Sequence, residues 1–228
     1  MVTISTYCGL DCGKCEYKEQ CNCGGCVASE GNPFWAAGGD AKCEIAECVK
    51  GRGIRFCGEC GEFPCEVLKR YSFDKEQGDE GARIENCKAI KTTLVQEARE
   101  GMDPVSVCGH HCDYCFMGQW CGSCRSDYNC CSFATLFEDK KCPNVKCAEK
   151  KGYDGCYDCP ELENCQKGYY GQKNEYAAKA TALFIRKYGK KQYGETLNRA
   201  IQQGVQYAGD LDAAGSVEEA LKLLEKYC

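Results

Sequence analysis

Thiols are the reactive groups that this sequence supplies in quantity, 25 of them in 228 residues. Twenty form two ordered series. The first is Cys8, Cys12, Cys15, Cys23, Cys26, Cys43, Cys48, Cys57, Cys60 and Cys65. The second is Cys108, Cys112, Cys115, Cys121, Cys124, Cys142, Cys147, Cys156, Cys159 and Cys165. Of the nine intervals in each series, six are equal in both and three differ by one or two residues. Such agreement is expected of groups that must meet at fixed geometry. Each series holds three C-x-x-C pairs, among them Cys23-Gly-Gly-Cys26, Cys57-Gly-Glu-Cys60 and Cys121-Gly-Ser-Cys124. Two intervening residues let both sulfurs reach one ion, and glycine permits the tight turn. The chemistry expected is metal ligation, with all twenty thiols as candidate ligands.

Tetrahedral zinc takes four thiolates at about 2.3 Å, and iron–sulfur clusters are also held mainly by cysteine. Zinc in a structural role is the first expectation. Glycine-bearing knuckles abound, whereas the closely packed ferredoxin run C-x2-C-x2-C is absent. Iron–sulfur clusters, in an electron-transfer or redox partner protein, are the alternative. Cys8, Cys12 and Cys15 have the C-x3-C-x2-C spacing that can hold three corners of a four-iron cluster, as do Cys108, Cys112 and Cys115. Thiol-based handling of a soft ion is a third reading. A redox dithiol explains one pair but not the ordered remainder. Ten thiols per series would fill two four-thiol sites with two over. Spacing leaves their partners open: the early five against the late five, or interleaved sets. His110 and His111, the only histidines, stand where the first series has Leu10 and Asp11. The thiol scaffold does not need them, and their position allows either ligand or proton-transfer work or a plain loop. No catalytic motif stands out.

The N-terminal MVTISTYCGL lacks the basic start and apolar run of a secretory leader. A cytoplasmic chain with reduced thiols is therefore expected, which argues against disulfides. No apolar run is long enough to cross a membrane. Charge is interspersed, 29 basic against 34 acidic side chains for a net −5. Without a basic stripe, nucleic acid is not the expected partner; another protein is.

The elements that must position the thiols are short. Residues 1–65 are rich in glycine and read as knuckles and turns, broken by the apolar loop Pro33-Phe34-Trp35. Ile84, Cys87, Ile90, Leu94, Val95 and Ala98 recur at helical spacing and predict a helix ending near Gly101. Residues around Ala177 to Tyr188 predict another, ending at Gly189, and Leu197, Ala200 and Ile201 a third, ending near Gly204. Ser216 and Glu219 form a capping box ahead of Leu221, Leu223 and Leu224. Cys87 falls on an apolar face and reads as core, while Cys130-Cys131 could add ligands or be incidental.

One family is similar. The run Cys8-Gly-Leu-Asp-Cys12-Gly-Lys-Cys15, then Cys23-Gly-Gly-Cys26, Pro33-Phe34-Trp35 and Cys57-Gly-Glu-Cys60-Gly-Glu-Phe-Pro-Cys65 resembles the cysteine-rich family known as domain of unknown function 3795. The resemblance spans about residues 5–100 and implies zinc binding but no reaction. Residues 106–170 keep the cysteine order and depart elsewhere, so they look like a divergent second copy. The expected fold class is α-rich and irregular: small metal-stabilised cysteine-rich modules, duplicated in tandem and zinc-knuckle-like, plus C-terminal helices. The expected domains are residues 1–103 and 104–228.

Overall fold

The computed structural model describes residues 3–15, 17–32, 42–118 and 120–228; the Pro33-Phe34-Trp35 loop lies outside them. The chain divides into two compact units, Met1–Glu97 and Ala98–Cys228. Among the described residues there is no strand, only an isolated antiparallel bridge between Val105 and His111.

In the first unit, α1 is a single turn, Tyr17–Gln20. The eight-residue α2, Glu44–Gly51, starts at the N-cap Cys43 and buries Ile45, Ala46 and Val49. These three recur at i, i+1 and i+4, so they share one face. A 3-10 turn at Cys57–Glu59 leads to α3, Glu66–Ser72, whose N-cap is Cys65. The longer α4, Ala82–Arg99, buries Ile84, Cys87, Leu94 and Val95, the face that the periodicity predicts. Asp79 starts it: its carboxylate accepts from the Arg83 amide at 3.2 Å and pairs with the Arg83 guanidinium at 2.7 Å. Gly9, at φ +84, lies against this helix; a Cβ there would stand 2.3 Å from the Arg83 carbonyl and 2.6 Å from the Cys87 sulfur.

The second unit repeats several of these devices. The nine-residue α5, Pro143–Lys151, starts at the N-cap Cys142, has Pro143 in its first turn and ends at Gly152 with φ +69. Gly109, at φ +102, lies against α6, Ala177–Gln202; a Cβ there would stand 3.0 Å from the Ala178 carbonyl. Inside α6 the helix breaks at Gly189, with φ 83 and ψ 161, where the sequence predicts one helix to end and another to follow. The short α7, Gly209–Asp212, and α8, Val217–Glu225, complete the unit. The predicted cap forms, with Ser216 Oγ accepting from the Glu219 amide at 3.1 Å. Tyr193, Phe184, Leu197, Leu211 and Leu224 are fully enclosed in the core of this unit. The first sixty residues of each unit also bury large side chains, among them Ile45, Val49 and Phe56 in the first and Phe133, Val145 and Tyr157 in the second. The helices α2 and α5 replace part of what the sequence reads as turns alone.

Candidate metal centres

The structure sorts each series of ten thiols in the same way, into four and six. In the first unit Cys48, Cys57, Cys60 and Cys65 line a void of about 10 Å³, closed by Val49, Ile54, Phe63 and Leu68. In the second unit Cys147, Cys156, Cys159 and Cys165 line a void of about 20 Å³. Spaces of this size admit a single small particle, since one water needs about 10–15 Å³. We call these the knots. The remaining thiols, Cys8, Cys12, Cys15, Cys23, Cys26 and Cys43, line a basin of about 540 Å³. Their counterparts Cys108, Cys112, Cys115, Cys121, Cys124 and Cys142, with Cys131 added, line one of about 160 Å³. Neither five against five nor interleaving describes this arrangement: Cys43 and Cys142 join the early set.

Matching contacts hold the two knots. The Cys57 amide donates to the Tyr7 carbonyl at 2.8 Å, and the Cys156 amide to the Val107 carbonyl at 2.7 Å. Arg52 donates to Cys60 Sγ at 3.5 Å and pairs with Glu62 at 2.9 Å. Lys151 donates to Cys159 Sγ at 3.7 Å and pairs with Glu161 at 2.8 Å. Each cation lies four residues after Cys48 or Cys147, and each carboxylate two residues after Cys60 or Cys159. The flanks of Cys57 and Cys156 are reversed copies, Phe56-Cys57-Gly58 against Gly155-Cys156-Tyr157. A Cβ on Gly58 would stand 2.4 Å from the Phe56 ring, and one on Gly155 2.3 Å from the Tyr157 ring. In each unit one aromatic ring covers the space beside the glycine across the cysteine.

Around the basins the thiols act on one another's charge. Burial, and then the charges of its neighbours, push Cys108 well up, the neighbours being Cys124 and Cys142. Burial pushes Cys112 up to about 11, with Cys121 and Cys115 adding to it. Burial pushes Cys124 up to about 12, with Cys112 and then Cys142 adding to it, so Cys124 interacts with thiols of both ends of the set. In the first unit burial raises Cys8, with Cys43 adding to it, and burial raises Cys12, with Cys15 and Cys23 adding to it. Cys26 and Cys43 share a hydrogen bond that lowers Cys43, helped by the Ala46 and Ile45 amides at the start of α2.

Among the described residues no three Cys, His, Asp or Glu side chains are gathered tightly enough to hold an ion as they stand. The donor chemistry nevertheless fits metal at the knots. Among the described residues four thiols and no carboxylate line each void, and cations on the sulfurs offset thiolate charge: Arg52 on Cys60 in the first, Lys151 on Cys159 and Lys167 on Cys147 in the second. A bound ion would have to draw the sulfurs inward. Burial pushes Cys57 far up and raises Cys156, so each would release a proton on ligation.

The histidines take no part in the knots. His110 Nδ1 lies 2.9 Å from the Tyr207 hydroxyl, and burial pulls its pKa down to about 4. It lines the second basin. His111 is buried with Nδ1 unpartnered, and burial lowers its pKa as well. Cys87 is fully buried core, whereas Cys21 and Cys228 are exposed. Sequence reasoning missed Asn144, which donates to Cys156 Sγ at 3.8 Å and to the Lys167 carbonyl at 3.2 Å. Its Oδ1 accepts from the Tyr169 amide at 2.7 Å. Its place two residues after an N-cap cysteine is the one signal that could have found it.

Residues 4–70 match the family described as Protein of unknown function (DUF3795). The match takes in all ten thiols of the first series and stops before α4, short of residue 100. No curated protein and no solved structure matches the chain. No helix among the described residues is long and apolar enough to cross a membrane.

Proposed function

We propose that the two units are tandem copies of one metal-binding module and that the knots are structural zinc sites. Cys48, Cys57, Cys60 and Cys65 would hold one ion and Cys147, Cys156, Cys159 and Cys165 the other. The observation that carries this reading is the repeated four-thiol void with its matched cation–carboxylate pair. Zinc of this kind supplies apparent binding energy of about 10–16 kcal/mol. That equals or exceeds the whole stability of an ordinary domain, about 5–15 kcal/mol. The metal's chemistry here is cohesion, so the role of the chain is binding or scaffolding, with another protein as partner, in the cytoplasm. Net charge −5, lowered further by thiolate sites, disfavours nucleic acid.

Metal analysis of the purified full chain tests the reading. Two zinc equivalents resistant to mild chelation are expected. Cys57→Ser or Cys60→Ser should remove one equivalent and unfold the first unit. A zinc-free chain that keeps full stability, or a Cys60→Ser chain that keeps both ions, overturns it.

A further inference from the structure

The knots leave six thiols of each series without a task, and these are the thiols around the basins. We propose that each basin is the site of a polynuclear iron–sulfur cluster, so that the chain carries two chemically different kinds of metal centre. The inference builds on the zinc reading of the knots and takes up the thiols that zinc does not use.

Size points first to a cluster. A four-thiolate zinc site draws every sulfur to about 2.3 Å from the ion and leaves no void. The second basin measures about 160 Å³, more than ten times the roughly 10–15 Å³ that admits one water. Interiors are otherwise close-packed. A space that large, faced by six thiols of the series and by Cys131, fits a group that brings its own bridging atoms. Iron–sulfur clusters do this with inorganic sulfide and take cysteine at their corners.

The surroundings point the same way. Among the described residues no carboxylate lines the second basin, and Phe133, Tyr169 and Val145 are among its walls. Backbone amides point at the sulfurs: Val107 donates to Cys124 Sγ at 3.4 Å and Cys130 to Cys121 Sγ at 3.1 Å. Ser106 Oγ lies 3.3 Å from Cys108 Sγ. Apolar walls with N–H donors on sulfur stabilise and tune such clusters. The first basin has the matching six thiols, and its wall carries the cations Arg70 and Arg83 together with the carboxylates Asp74 and Glu76. Ligation moves no electrons. Each ligating thiol gives its proton to solvent and a sulfur lone pair to iron, while iron and sulfide keep their oxidation states.

The test is anaerobic reconstitution of the full chain with ferrous and ferric iron and sulfide, followed by assay of iron, acid-labile sulfide and zinc. Expected are iron and labile sulfide in equal amounts, visible charge-transfer absorption and zinc still bound. A Cys112→Ser/Cys124→Ser chain, which removes two thiols from the lining of the second basin, should lose half or more of the iron and sulfide and none of the zinc. Uptake of zinc alone, iron without labile sulfide, or full cluster content in that variant would each overturn the proposal. If the variant does not fold, the iron, sulfide and zinc contents of the unaltered chain decide the matter. Iron and sulfide bound without zinc would sink the knot reading and leave this one standing.

Discussion

At the scale of single residues, the two knots differ most at one contact. Asn144 is buried and fully engaged beside Cys156, whereas the matching position in the first unit is the apolar Ile45. A group that hydrogen-bonds a ligand sulfur is worth about 10–100-fold in metal affinity. Asn144→Leu should therefore weaken zinc by about that factor in the second unit alone, as read by competition with a chromophoric chelator. The reversed aromatic–glycine flanks make a sharper test. Phe56→Ala should cost about 3–5 kcal/mol in urea unfolding of the first unit. Gly58→Tyr should be destabilising on its own, because its Cβ meets the Phe56 ring at 2.4 Å and also the Cys87 carbonyl at 2.9 Å, a contact that removing the ring leaves in place. Phe56→Gly with Gly58→Tyr should recover part of the loss, a coupling of about 0.5–3 kcal/mol. Strictly additive losses would refute the shared-space account. None of this was legible in spacing: cysteine positions are visible in a sequence, whereas the ring that fills a gap from the other side of a cysteine is not.

At the scale of elements, legibility followed the apolar spacing and the caps. The α4 face, the α6 break and the α8 cap were readable because apolar periodicity, a glycine or a capping box marks each of them. The α2 and α5 helices, embedded among cysteines and glycines, were not, although Pro143 and Gly152 mark the ends of α5. That omission also hid the partition of the thiols. Cys43 and Cys48 are five residues apart and look like neighbours. On a helix, five residues advance about 7.5 Å and turn about 140°, so the N-cap thiol faces the basin and the later thiol the knot. Cys142 and Cys147 repeat this on α5. Gly189 gives a prediction at this scale. Its φ of 83 suits glycine, yet a Cβ added there would meet nothing within 4 Å. Gly189→Ala should lower stability by about 1–3 kcal/mol through backbone strain alone. A calorimetric melt should show the loss with zinc content unchanged.

For the molecule as a whole, stability and metal content should be one quantity. A strong chelator should remove zinc and abolish the near-ultraviolet circular dichroism along a single time course; metal loss from a chain that stays folded would separate the two. Acid should act in the same direction. Burial raises Cys57 and Cys156, so protons compete with metal even above neutrality. Apparent zinc affinity should climb from about pH 6 to about pH 9 and fall as thiols protonate; a flat profile over that range would contradict it. The helices α2 and α5 add a consequence for how the chain matures. Each has one end in a basin and one side on a knot, so an ion that closes a knot also places one of the basin's thiols, Cys43 or Cys142. The ordering entropy of that thiol is then already spent when the basin is filled. Filling is therefore cooperative, and a cell short of zinc would accumulate chains that take up the second cofactor less readily.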